Sequence, residues 1–165
     1  MDTEGTLQIE PATPADVPVI LQLIRELAIF ERLLPEVVAT EALLHEHLFG
    51  ERRFAEVVLA RVSGEAVGFA LYFHNYSTFK SRPGIYLEDL YVRDHCRGRG
   101  YGAALLRHLA KIAVARRCAR FEWSVLDWNQ RAIDFYRGLG AEPLNEWTMF
   151  RVSGEALVQL AKESG

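Results

Sequence analysis

Residues 86–102 read YLEDLYVRDHCRGRGYG, and no other stretch restricts the possible folds as strongly. A hydrophobic run carrying two carboxylates passes through a short polar and basic segment into three glycines separated by single residues. Leu105, Leu106, Leu109, Ile112 and Ala113 then recur at helical spacing, which predicts a strand, a glycine turn and an amphipathic helix in direct succession. The first-turn amides of a helix have no intrahelical partner, and glycines let an anion approach them without Cβ obstruction. Arg97, Gly98, Arg99, Gly100, Tyr101 and Gly102 therefore predict a phosphate cradle, with a plain connecting loop as the alternative.

Two familiar phosphate motifs do not account for the turn. A Walker A loop needs Gly-Lys-Ser/Thr, which the chain lacks. Gly98, Gly100 and Ala103 formally match the dinucleotide fingerprint GxGxxA. Here, however, the glycines follow a polar segment instead of the strand itself, they lie two-thirds along the chain, and too little sequence follows for a dinucleotide fold.

With 165 residues, half of them hydrophobic, the chain has the size and apolar content for one substantial core. Its formal charge of −3 argues against a general nucleic-acid binder. Cys96 and Cys118 lack metal or disulfide spacing, so a reduced intracellular setting is expected. The start, Met1 to Gln8, has no basic-then-apolar order of a signal peptide, and no 18-residue apolar run occurs, so the expectation is a cytosolic protein without a membrane segment.

Along the chain, Leu7–Glu10 reads as a strand. Thr13-Pro14-Ala15-Asp16 reads as a helix start, with Ile20, Leu23, Ile24, Leu27 and Ala28 on one face and an end near Glu31. Thr40 caps a second helix to Leu48. Phe54–Val62 and Ala66–Phe73 are strands divided by the turn signal Ser63-Gly64-Glu65. Ile85–Val92 and Phe121–Leu126 are further strands. Asn129 caps a helix that Gly140 stops. A last strand over Glu146–Val152 and a helix over Gly154–Lys162 complete an α/β chain, with a largely antiparallel sheet and helices on both faces.

Plain alternation over 85–92 puts Tyr86, Glu88, Leu90 and Val92 on one face and Ile85, Leu87, Asp89 and Tyr91 on the other. Each acid then lies among apolar or aromatic neighbours and needs a cation, hydrogen-bond donors or solvent. Acids at a sheet rim paired with arginines satisfy that need as well as catalytic acids do.

The glycine pattern Arg97-x-x-Gly100-x-Gly102 after Leu87-Glu88-Asp89-Leu90-Tyr91-Val92 resembles the acetyl-CoA loop of the GNAT superfamily of N-acetyltransferases. So do Asp127-Trp128-Asn129 and the run Asp134-Phe135-Tyr136-Arg137-Gly138-Leu139-Gly140-Ala141, in the order and spacing of its diamine (spermidine/spermine) and thialysine branch. Pro11-Ala12-Thr13 and Arg25-Glu26-Leu27-Ala28 resemble the same branch, so the likeness runs over a single domain, residues 7–162.

The resemblance implies a GNAT fold and acetyl-CoA as cosubstrate. It makes Glu88 the base and an amine-binding acid, and Tyr136 the proton donor. An alkyl amine with a pKa of about 10.4 is only about one part in a few thousand neutral at pH 7, so attack on a thioester requires proton removal. Leu90, Tyr91 and Val92 are implied to contact the acetyl-pantetheine arm. Arg97 to Gly102 are implied to hold the pyrophosphate, and Asn129, Gln130, Arg131 and Ala132 to line the cofactor. Phe30, Glu31, Glu122, Trp123, Ser124 and Glu146 are implied to face a small cationic amine, with Phe30 replacing the expected tyrosine. Dimerisation is also implied by the family. The alternative is a catalytically silent acyl-CoA sensor on the same fold. His45 and His47, two residues apart on a helix, do not face one another, and no metal site is expected.

Overall fold

A computed structural model describes residues 5–162 of the chain, and they form two compact units, one ending at Ser124 and one beginning at Val125. The acidic start at residues 1–4 lies outside the described residues.

The first unit is built on a five-stranded sheet in sequence order. It comprises β1 (Leu7–Pro11), β2 (Glu56–Val62), β3 (Glu65–Ser77), β4 (Arg82–Val92) and β5 (Phe121–Trp123). All neighbours are antiparallel except β4 and β5, which run parallel. Helices α1 (Val17–Phe30) and α2 (Glu41–Phe49) connect β1 to β2, and α3 (Tyr101–Ala115) connects β4 to β5. Such a crossover is what a parallel pair requires, whereas β2 and β3 need only a hairpin.

Local chemistry sets the ends of these elements. The Thr13 amide and hydroxyl both donate to the Asp16 carboxylate, at 2.8 and 3.2 Å, and start α1 through a short 3-10 turn. Thr40 Oγ1 accepts from the Leu43 amide at 3.2 Å and starts α2. The β2–β3 hairpin is tighter than the three-residue signal implies. Val62 pairs with Glu65 across Ser63 and Gly64, whose φ values of 51° and 79° define a two-residue turn of the twist-matching kind.

The sheet has an α1 face and an α3 face. Leu59, Phe69 and Tyr91 lie side by side across β2, β3 and β4, and pack with Ile20, Leu23 and Leu27 of α1 in one buried cluster. The other surface carries buried Val58, Ala60, Ala70, Ile85 and Leu87, and receives Leu105, Leu106 and Leu109 of α3, which packs on β3 and β4. Each fully buried leucine or phenylalanine contributes roughly 1.5–3 kcal/mol, so the two layers hold the glycine turn between rigid elements. Arg116, just past α3, donates to both oxygens of Glu56 at 2.6 and 2.9 Å, and this bond holds the Glu56 carboxyl below its ordinary range.

β3 continues to Ser77 and β4 begins at Arg82, so the polar residues between Phe73 and Ile85 form a ladder where a loop is expected from composition. Main-chain pairing asks nothing of the side chains there. β5 stops at Trp123 instead of reaching Leu126.

In the second unit, α4 (Gln130–Gly138) is capped by Asn129, whose Oδ1 accepts from the Ala132 amide at 3.2 Å. It closes with Gly140 at φ 95°, where the Gly140 and Ala141 amides donate to the Arg137 and Tyr136 carbonyls. Helix α5 spans Gly154–Lys162. The expected strand over 146–152 is absent: the residues are exposed, and none pairs with another strand among the described residues. A run rich in apolar residues becomes a strand only when an edge accepts it.

Candidate active site

The glycine turn has the backbone expected of an anion cradle. Gly98 and Gly100 adopt φ of 78° and 80°, a left-handed conformation that disfavours a side chain. A Cβ placed on either would meet nothing within 4 Å, so the space above both is open. Gly100 is the N-cap of α3, and Tyr101 and Gly102 form its first turn. The residues present thus fit a phosphate on main-chain amides.

Upstream of the turn, the register of β4 changes the expected faces. Leu71 pairs with Asp89 and Tyr72 with Leu87, so Glu88 is skipped in a β-bulge. The alternation of 85–92 is therefore broken, and the two-face assignment made from the sequence is corrected. Tyr86, Glu88, Asp89 and Tyr91 share the α1 face, while Ile85, Leu87, Leu90 and Val92 share the other. A bulge inserts one residue, and with a period of two that reverses every side chain on one side of it.

Both acids are consequently brought together. Glu88 is exposed and Asp89 half-buried. Burial pushes the Asp89 carboxyl up to about 6, helped by the negative charges of Glu88 and of Glu31 at the end of α1. Beyond the bulge β5 no longer accompanies β4, whose last pairing with it is Leu87 to Trp123. Leu90, Tyr91 and Val92 follow this point, paired on the β3 side with Ala70, Phe69 and Gly68.

The remaining predicted residues of this unit are partly engaged. The Arg97 guanidinium lies 4.2 Å from the Phe30 ring centre, donates to the Val92 carbonyl at 3.1 Å and pairs with Asp94 at 2.9 Å. Glu122 accepts from Asn75 at 3.1 Å and from Arg120 at 2.7 Å, so its carboxylate has cationic and amide partners within the sheet. Trp123 meets Phe121 edge-on at 4.9 Å, and Ser124 Oγ lies 2.7 Å from Tyr86 Oη. Arg99 is exposed on the turn.

Asn129, Gln130, Arg131, Ala132, Tyr136 and Glu146 belong to the second unit. Asn129 and Ala132 are joined by the helix cap, and Gln130 donates to Asp134 at 2.7 Å. Burial raises the Tyr136 hydroxyl above its ordinary pKa, which keeps it protonated. Glu146 is exposed. Among the described residues no group of three or more His, Cys, Asp or Glu is arranged to hold a metal ion, and no helix is long and apolar enough to cross a membrane.

The pattern of the acetyltransferase (GNAT) family matches residues 21–141, from α1 through the end of α4. The chain belongs to this family. A thialysine N-epsilon-acetyltransferase of Bos taurus is 41% identical to this acetyltransferase, over 94% of the chain and 97% of the relative. An L-ornithine N5-acetyltransferase of Arabidopsis thaliana is 34% identical, over 94% and 88%. Among solved structures, an integron cassette protein from the mobile metagenome of V. cholerae superposes with a TM-score of 0.81 at 28% identity, covering 95% of this chain and 98% of that one. The chain is an N-acetyltransferase, and enzymes of its family generally use acetyl-CoA.

The sequence points to Glu88, but plain alternation puts Asp89 on the opposite face. No signal in the sequence marks the bulge, because either parity leaves the run LEDLYV equally apolar.

Proposed function

We propose that this acetyltransferase moves the acetyl group of acetyl-CoA directly to the terminal primary amine of a small cationic acceptor. The acceptor is a thialysine-like or ornithine-like amino acid, or a diamine or polyamine. The observation that carries this reading is the bulge at Glu88, which turns two carboxylates to the face on which Glu31 also acts. Clustered negative charge beside an open glycine turn suits a cationic amine next to an anionic cofactor. The names of the relatives add the amino-acid acceptors.

Acetyl-CoA when bound supplies an activated acetyl thioester. Residues 97–102 hold its phosphates through main-chain amides and arginine, and Leu90 to Val92 and Asn129 to Ala132 line its length. Glu88 takes the ammonium proton, directly or through water, and with Asp89 and Glu31 offsets the acceptor's charge. Tyr136 Oη holds the proton required by the leaving sulfur. Phe30, Glu122, Trp123, Ser124 and Glu146 complete the acceptor side. Residues 7–162 act as one catalytic domain, by family resemblance the enzyme is a homodimer, and its free Cys96 and Cys118 suit a reduced cytosol.

Free-thiol release from acetyl-CoA, measured with thialysine, lysine, ornithine, putrescine and spermidine, tests the reading. Saturable turnover with at least one of these supports it. Binding of acetyl-CoA with no turnover on any amine replaces it with a silent acyl-CoA sensor. Sedimentation at micromolar concentration tests the dimer.

A further inference from the structure

Phe30 is 56% exposed at the last position of α1, outside the buried cluster that α1 builds with the sheet. Its described contact is with the first residue of the glycine turn: the Arg97 guanidinium carbon lies 4.2 Å from the ring centre, well inside the range for a cation on an aromatic face. The same guanidinium is 5.8 Å from the Tyr91 ring. Its two polar tethers, the Val92 carbonyl and the Asp94 carboxylate, belong to the connection that carries Arg97 itself. Phe30 therefore supplies a tether from a helix separate from β4 and its connection. Nη2 of Arg97 makes no hydrogen bond to another described residue, and the side chain is 39% exposed, so a donor remains to meet an anion.

We propose that Phe30 is a positioning residue for the cofactor loop, its ring holding the Arg97 guanidinium where a phosphate of CoA binds. This rests on the reading of residues 97–102 as the acetyl-CoA loop. It gives the ring a task separate from contact with the amine. A planar cation stacked on a ring keeps its in-plane N–H groups available, so stacking orders Arg97 without consuming its donors. The turn needs such ordering because two left-handed glycines leave its backbone open to other conformations, and an arginine fixed in advance loses less freedom when the phosphate arrives. The missing tyrosine hydroxyl is immaterial to this task, since phenylalanine and tyrosine both present the required face.

The contact borders an open cleft of about 360 Å³ lined by Phe30, Tyr91, Asp94 and His95 among others, so shortening the ring leaves space already open to solvent and the core intact. Calorimetry of CoA binding to the full chain, without amine, reads the effect. Phe30→Leu is expected to weaken CoA binding roughly three- to tenfold, while Phe30→Tyr stays within about twofold of the parent. Arg97→Gln is expected to weaken binding on its own and to make Phe30→Leu silent. Arg97→Lys, which keeps the charge and loses the planar stack, should blunt the Phe30→Leu effect, and Phe30→Gln offers a second ring deletion suited to an exposed helix end. Folded ring-deletion variants with parent CoA affinity, or losses that add fully to Arg97→Gln, overturn the proposal. A parent chain that binds no CoA removes the cofactor reading itself, a result distinct from parent-like affinity in Phe30→Leu.

Discussion

The glycine turn at 97–102 and the acid-bearing strand before it are neighbours in the chain, yet their chemistry is set at different levels. In the turn the groups proposed to meet the cofactor are main-chain amides, and their presentation follows from residues within the turn: glycines at φ near 80° and a helix beginning at Tyr101. In the strand the groups proposed to act are carboxylates, and their direction depends on β3, which skips Glu88 and sends both acids to one face. A main-chain site is encoded by the residues that form it. A side-chain site on a sheet depends on a partner strand elsewhere in the sequence.

The largest expected effect tests the strand. Glu88→Gln keeps the size and removes the proposed base, so the maximal rate should fall by roughly 10²- to 10⁴-fold, with part recovered as pH rises. Thiol release at saturating amine and acetyl-CoA measures it. A parent-like rate across neutral pH makes Glu88 structural and moves the base to Asp89.

Next comes Tyr136→Phe, which belongs to neither region and serves as their reference. Loss of the proposed proton donor should lower the maximal rate by roughly 10²-fold with acetyl-CoA affinity almost unchanged, because the interaction is made only in the transition state. A core aromatic losing one hydrogen bond would instead lose about 0.5–1.5 kcal/mol of stability and little rate.

Substitutions in the two regions should shift stability in opposite directions. Asp89 titrates near 6 in the fold, above its unfolded value. The folded state thus holds this proton more tightly, and the group's favourable contribution is complete below about pH 4 and lost as pH rises through about 6. Asp89→Asn removes that loss, so chemical denaturation at pH 7.5 should show a gain of up to about 3 kcal/mol, with the difference from the parent shrinking towards pH 4. Amine KM should rise in the same variant, as the site gives up a negative charge. A variant less stable than the parent at pH 7.5 means that the carboxylate is held by favourable contacts.

The smallest effect is in the turn. Gly100→Val forces a β-branched residue into the left-handed region, at a cost of about 1–2 kcal/mol, and places a side chain over the open cradle. Acetyl-CoA binding should weaken about tenfold or more in a chain that still folds. Parent affinity by calorimetry takes the turn out of the cofactor site.

Much of the fold was legible because its signals are local. The Thr13–Asp16 start, the Thr40 and Asn129 caps, the Gly140 stop and the α3 stripe each rest on residues within one or two turns of each other, and a single sequence contains them whole. The strand expected over 146–152 did not form, because a composition rich in apolar residues states only that a run suits a sheet. Whether a sheet edge receives it depends on residues elsewhere. The extension of β3 to Ser77 through polar residues follows from the same rule, since ladder hydrogen bonds are made by the main chain.

The candidate site divides along the same line. Glycines, arginines and the order of motifs determined, from sequence alone, that a helix N-terminus with an open turn follows β4, and they carried the resemblance to the acetyltransferases. Tertiary structure alone decided that Glu88 and Asp89 share a face, that Glu31 adds its charge to theirs, that Glu122 is engaged by Arg120 and Asn75, and that Arg97 rests on Phe30. The physical reason is that a backbone conformation is chosen by a residue and its nearest neighbours, whereas the direction of a side chain across a sheet, and the charges it meets there, are chosen by whichever strand or helix packs beside it.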